Sequence, residues 1–217
     1  MAQKKISALD EAVSVIGTDV LPVVESGVTK KVEVETLLAS KMLNNKVWCE
    51  TRASANSFKV SPTIEPSFEK LTDDGAGSQG IYTYVFSDDR DEEIYFAIHL
   101  PSFYKVGTDV YPHFHFMPGD TGTGNVKINV EYYLCVGAYC NSTLITKTLA
   151  LDGVREHKDI AFDAIAGGGF AGIDNQFLVR LRRDVGVGSN YAGNIFLLEF
   201  TLSFERDQVG TGTRTAK

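Results

Sequence analysis

The strongest constraint on this chain is a hydrophobic period of two. In VKINVEYYLCV, Val126, Ile128, Val130, Tyr132, Leu134 and Val136 share one face, while Lys127, Asn129 and Glu131 share the other. NIFLLEFTLSFER repeats the pattern, with Phe196, Leu198, Phe200, Leu202 and Phe204 alternating against Glu199, Thr201 and Ser203. A helix would scatter these residues around its circumference, whereas a half-buried strand sets every apolar member on one sheet face. The same alternation predicts strands over residues 81–86, 93–100, 142–151, 158–162 and 177–182. Between them lie DDGAGSQG, PGDTGTGN, AIAGGGFAG and DVGVGSNYAGN, all loop chemistry. No stretch after residue 45 has helical periodicity. Many alternating strands without crossover helices predict a mainly β fold, an antiparallel β-sandwich of jelly-roll type, with a closed barrel as the second choice.

Residues before about position 45 have another character. VLPVV (residues 20–24) and VTKKVEV (residues 28–34) predict two short strands joined across Glu25-Ser26-Gly27, where Gly27 can supply a positive φ. Residues 33–43 carry Val34, Leu37, Leu38 and Met42 at helical spacing, enough for one short amphipathic helix. A hairpin and a short helix cannot bury their apolar faces alone, so this segment must dock on something else. Asp19, Leu21, Pro22, Val23, Val24, Val28, Leu37 and Leu38 are the expected anchor residues. The expected organisation is therefore an attachment segment over 1–45, a β-sandwich over 46–205, and a flexible polar arm over 206–217.

Composition excludes several classes. Across 217 residues, 43% are hydrophobic and 23% charged, the balance of a soluble globular protein with a real core. No apolar run approaches the roughly 18 residues of a membrane span, and MAQKKISALDEAV lacks the apolar core of a signal peptide, so no membrane insertion is expected. A net charge of −7 repels phosphate backbones and argues against nucleic acid as a partner. The basic run RLRR, Arg180 to Arg183, is expected to be a solvated face or a partner for acidic neighbours. Cys49, Cys135 and Cys140 lack CxxC spacing and are expected to be reduced.

The one stretch that suggests chemistry is VYPHFHFMPGDTGTGN. In a strand His113 and His115 share a face, roughly 7 Å apart, while Phe114 and Phe116 turn to the core. Gly107 followed by HxH matches part of the cupin pattern, but Asp120 stands at best where a glutamate is expected and no second motif follows. A metal needs three or four converging ligands, and the sequence offers two; nothing in it brings His99 or His157 to the pair. His113 and His115 are thus the only metal candidates, and neither metal nor cofactor is expected. The glycine-rich loops lack a GK[ST] ending, VGVGSN is no GxSxG elbow, and the carboxylates of SDDRDEE (residues 87–93) suit a solvated hairpin tip. No residue is assigned a catalytic role, and the chain is not expected to be an enzyme.

Two sets of motifs carry a resemblance. ISALDEA, GTDVLPVV and GVTKKVEVETLLA open the chain; YPHFHFMPGDTGTGNVKINVEYY, LVRLRRD and NYAGNIFLLEFTLSFERDQVGTGTRTAK fill its later part. Together they resemble small virion structural proteins of tailed bacteriophages, with Phe116 standing where tryptophan is frequent in that group. The resemblance implies assembly rather than catalysis: an appendage, fibre-base or neck component mounted through residues 1–45, with capsid decoration as the alternative. It further implies a virion location after assembly in the host bacterial cytoplasm, other virion proteins as partners, and self-association as a homotrimer. A glycan-binding receptor module is a second expectation, with Tyr104, Tyr111, Tyr139 and Tyr191 as the candidate sugar platforms.

Overall fold

The computed structural model describes residues 20–25, 28–33, 46–54, 57–73, 75, 77–135, 142–170, 175–186 and 188–207. The chain divides into two units, residues 1–46 and 47–217. In the first, β1 (Val20–Glu25) and β2 (Val28–Glu33) form an antiparallel pair in register from Val20↔Glu33 to Glu25↔Val28. Pro22, which cannot donate to a ladder, is tolerated because a two-stranded ribbon leaves alternate N–H groups facing outward. Of the expected anchor residues, Leu21, Pro22, Val23, Val24 and Val28 lie on these strands. Glu33, the first residue of the expected helix over 33–43, ends β2; Asp19, Leu37 and Leu38, the rest of that helix and residues 208–217 of the expected arm lie outside the described residues.

The second unit is an antiparallel β-sandwich of jelly-roll type. Its strands are β3 (Trp48–Ser54), β4 (Lys59–Val60), β5 (Ser67–Thr72), β6 (Ile81–Phe86), β7 (Glu92–His99), β8 (Val110–Pro118), β9 (Thr123–Cys135), β10 (Ser142–Asp152), β11 (Lys158–Ala161), β12 (Gln176–Asp184) and β13 (Ile195–Glu205). One sheet runs β10-β9-β12-β7-β4; the other runs β11-β8-β13-β6-β5, with β3 also paired to β13. From β6 to β9, and again from β10 to β13, each strand lies in the sheet opposite its predecessor, so the connections cross the ends of the sandwich.

Alternation selects what lies between the sheets. Phe114 and Phe116 of β8 are wholly buried while His113 and His115 face outward. Val126, Ile128 and Val130 of β9 enter the same core, where Phe96 of β7 meets Phe200 of β13 with ring centroids 5.1 Å apart. The expected face of β13 needs correction. A register shift against β8 between Leu197 and Glu199 inserts one residue and inverts the parity, so Ile195 and Leu197 point inward before it and Phe200, Leu202 and Phe204 after it. Phe196 and Leu198 therefore do not share the core face of Phe200.

Strands β3, β4 and β5 escape the sequence pattern because they bury few side chains; in β3 only Ala53 is fully inside. SDDRDEE is not a solvated hairpin tip. It carries the chain from one sheet to the other, and Glu92 and Glu93 are buried at the start of β7. Glu92 accepts the Ser87 N–H at 2.6 Å and Arg90 Nε at 2.9 Å. Nor is all of RLRR a solvated face. Arg183 is wholly buried, its Nη1 donating to the carbonyls of Phe86 (3.1 Å) and Gly193 (2.8 Å) and its Nη2 to that of Tyr191 (2.8 Å). One planar donor fork thus ties the end of β6 to two carbonyls of the β12–β13 connection.

Candidate functional site

The outward face of the five-stranded sheet carries a groove of about 740 Å³. Register builds it from two cross-strand rows. The first is Lys59, Tyr95, Arg180 and Glu131, contributed in turn by β4, β7, β12 and β9, and it runs on to Leu144 of β10 beyond the groove. The second is Ala97, Leu178, Tyr133 and Ser142 from β7, β12, β9 and β10. These residues point away from the core because their neighbours Phe96, Val179 and Tyr132 point into it. A smaller depression of about 170 Å³, lined by Asn129, Glu131, Leu144, Arg180 and Arg182, continues the groove along the strands.

Its floor joins apolar surface to fixed polar groups. Tyr95, Tyr133, Leu178 and Leu144 are exposed at 37%, 38%, 45% and 61%, a concentration of apolar surface on the side of a sheet that ordinarily faces water with charged residues. Arg180 stands between two carboxylates, with Nε on Glu93 at 2.8 Å and Nη1 on Glu131 at 2.8 Å. The Tyr95 hydroxyl donates to the other Glu93 oxygen, and that bond, with burial, raises the phenol above its ordinary range and keeps it neutral. The Tyr95 ring is therefore held at its tip by an anion that is itself clamped by Arg180. A guanidinium has five N–H donors and a carboxylate several lone pairs, so both groups keep hydrogen-bonding capacity for a ligand beyond these bonds.

The tyrosines expected as sugar platforms fall elsewhere. Tyr104 and Tyr191 are buried, at 2% and 3% exposure; Tyr104 donates to the Thr108 carbonyl and Tyr191 to Asp120 Oδ1 at 2.9 Å. Both close loops from within, because a ring tethered at its hydroxyl packs a turn as well as it could stack on a ligand. Tyr111 is half-buried, edge-on to Trp48 at 5.5 Å between centroids, and Tyr139 lies outside the described residues.

The histidine pair lies on the opposite side of the sandwich, on the outward face of β8. It has company that the sequence did not foretell. Antiparallel pairing with β11 sets Asp159 opposite His115, and His157, just before β11, reaches the pair. His113 Nδ1 donates to Asp159 Oδ2 at 2.9 Å; His115 Nδ1 lies 3.0 Å from His157 Nε2 and 3.9 Å from Asp159 Oδ1; His115 Nε2 meets Thr201 Oγ1 at 3.3 Å. The three imidazoles stack nearly parallel, at 6.1 and 5.1 Å. Burial lowers the His115 pKa from its ordinary value, outweighing the pull of Asp159 and Glu199 in the other direction.

Neither Asp120 nor His99 joins this pair. Asp120 caps its own turn, accepting the Gly122 N–H at 2.7 Å, and Glu131 belongs to the groove. His99 stands on β7 in the other sheet, paired with Gln176. Cys49 is a free thiol packed at the margin of the core.

No protein-family model and no curated protein matches the chain. Among solved structures, it is similar to the xylan-binding CBM22-2 domain of Paenibacillus barcinonensis Xyn10C, at 11% identity and TM-score 0.39 over 72% of this chain and 98% of that one. The module TmCBM27, described by its specific mannan recognition, shares 13% identity at TM-score 0.35 over 73% and 98%. The enzymatically active domain of bacteriophage CBA120 tailspike protein 4 shares 12% identity at TM-score 0.34 over 76% of this chain and 20% of that one. At such TM-scores these likenesses carry no argument about ligand or activity, which rest on the geometry above.

Proposed function

We propose that the sandwich is a saccharide-binding module displayed by a structural protein of a tailed-phage virion. The observation that carries the binding half of this reading is the groove: apolar surface of Tyr95, Tyr133 and Leu178 beside Arg180 and Glu131 on one exposed sheet face. Sugars present apolar C–H faces and hydroxyl edges, and this combination serves both, with stacking on ring faces and hydrogen bonds to a pre-positioned guanidinium and carboxylate. Because Glu93 and Glu131 share one guanidinium, the two carboxylates hold each other in place, and the arrangement serves recognition rather than bond cleavage. A glycan array probed with the full chain tests this. Binding to bacterial surface polysaccharides that is lost in both Tyr133→Ala and Leu178→Ala supports it; silence across such polysaccharides removes it.

The virion half rests on the sequence resemblance and on the β1–β2 hairpin, since two strands alone are marginally stable in water and gain by docking on a partner. Mounting through residues 1–45 predicts that a chain lacking them folds but does not enter particles. Self-association as a homotrimer predicts a sedimentation mass three times that of the chain.

A further inference from the structure

The sequence offered a metal two ligands; folding supplies the rest. We propose that His115 Nδ1, His157 Nε2 and a carboxylate oxygen of Asp159 form a site for one divalent transition-metal ion of the zinc class, with His113 holding the carboxylate from behind. Two nitrogens bound to one zinc at about 2.0–2.1 Å stand roughly 3.3 Å apart in tetrahedral geometry. His115 Nδ1 and His157 Nε2 already stand 3.0 Å apart. Asp159 Oδ1, at 3.9 Å from His115 Nδ1, comes within the same spacing after a shift of about 0.6 Å. Among the described residues no group of three or more His, Cys, Asp or Glu side chains stands ready to hold a metal ion. The site is thus one that the ion completes, by drawing in a half-exposed carboxylate and an exposed imidazole.

The surrounding bonds suit that role. A ligating carboxylate is ordinarily hydrogen-bonded at its second oxygen, and His113 Nδ1 makes that bond to Asp159 Oδ2 at 2.9 Å. A ligating imidazole ordinarily donates its other N–H. In the tautomer with His115 Nε2–H donating to Thr201 Oγ1, the Nδ1 lone pair faces His157, and the ion selects this tautomer. Binding then asks His157 to turn its Nε2 lone pair to the ion, with the ring proton on Nδ1. The fourth position of a tetrahedral ion is left to water. Bridging β8 to the residues just before and within β11, the ion would fasten the short edge strand β11, four residues long, to its neighbour.

The test uses untagged full-length protein, stripped with chelator and titrated calorimetrically with Zn²⁺, with Co²⁺ as the spectroscopic probe. One saturable Zn²⁺ per chain is expected, with d–d absorption of tetrahedral intensity on Co²⁺ loading. His157→Ala, an exposed change that leaves the core untouched, should abolish saturable binding. Asp159→Asn should weaken it at least 10-fold, and His113→Phe, which removes the supporting hydrogen bond, by about 10–100-fold. Wild-type protein without saturable Zn²⁺ binding overturns the proposal, and so does His157→Ala binding as tightly as wild type.

Discussion

Replacing Arg183 by methionine is the most informative change to the body of the fold. The substitution keeps most of the side-chain volume and removes a buried cation with its three hydrogen bonds to the carbonyls of Phe86, Tyr191 and Gly193. A charge-assisted bond contributes about 1.5–3 kcal/mol, and a buried carbonyl left without a donor costs about 1–3 kcal/mol. Against this, methionine relieves the desolvation of a guanidinium whose burial already pushes its pKa down and whose Nε has no hydrogen-bond partner. The balance is set by the carbonyls that lose this donor, because they lie around a side chain with 0% exposure, where water cannot replace the fork. We expect a loss of about 3–5 kcal/mol, which for a chain of this size is roughly a 6–20 °C fall in Tm. Arg183→Lys should fall in between, since an ammonium keeps the charge but lacks the planar fork. Urea unfolding of the full chain, followed by near-ultraviolet circular dichroism, measures it, provided the m-value is unchanged. A methionine variant within about 1 kcal/mol of wild type would refute the view that this arginine ties the strand connections together.

Other consequences are equally direct. A Cβ on Gly167 would sit 2.1 Å from the Thr108 carbonyl oxygen whereas one on Gly168 meets nothing within 4 Å, so in thermal melts Gly167→Ala should cost several degrees and Gly168→Ala almost none. Burial opposes ionisation of Asp184, but Lys127 at 2.9 Å, the Gly186 N–H and Asn129 outweigh it and lower its pKa. A depressed carboxylate contributes stability that is present above its unfolded pKa of about 3.9 and lost as pH falls through the folded value; acid unfolding of Asp184→Asn should therefore show a shallower loss below about pH 4 than wild type. Particles assembled with a chain lacking residues 1–45 should contain none of it by mass spectrometry, and retained incorporation would contradict mounting through that segment.

How far the sequence foretold this molecule depends on which physical quantity is asked for. Side-chain alternation reports the face of a strand, so the predicted strands that became β6 to β12 and the inward aim of Phe114 and Phe116 were legible. Parity is lost wherever one residue is inserted, and the shift after Leu197 has no apolar signature of its own. Which strands become neighbours is a property of register. His157 lies 42 residues from His115, and Arg180 lies 87 and 49 from Glu93 and Glu131, so each constellation exists only once the sheets pair. The groove nevertheless left a trace. Tyr95, Tyr133, Leu144 and Leu178 are apolar residues on the polar phase of otherwise alternating strands, and that breach of the pattern in four strands was the available signal. Nearness of a tyrosine to a glycine-rich loop is no such signal, since Tyr104 and Tyr191 are buried beneath theirs.

The central claim is that saccharide binds on the outward face of the five-stranded sheet. Amide chemical-shift mapping of the full chain, titrated with the oligosaccharide that scores highest on the array, tests it most directly. Perturbations should centre on Tyr95, Tyr133, Leu178 and Arg180 and saturate together, with Tyr133→Ala weakening the affinity about 10-fold, or roughly 1.4 kcal/mol. Saturable shifts confined to the outward face of β8 and β11, or to the loops, would contradict it.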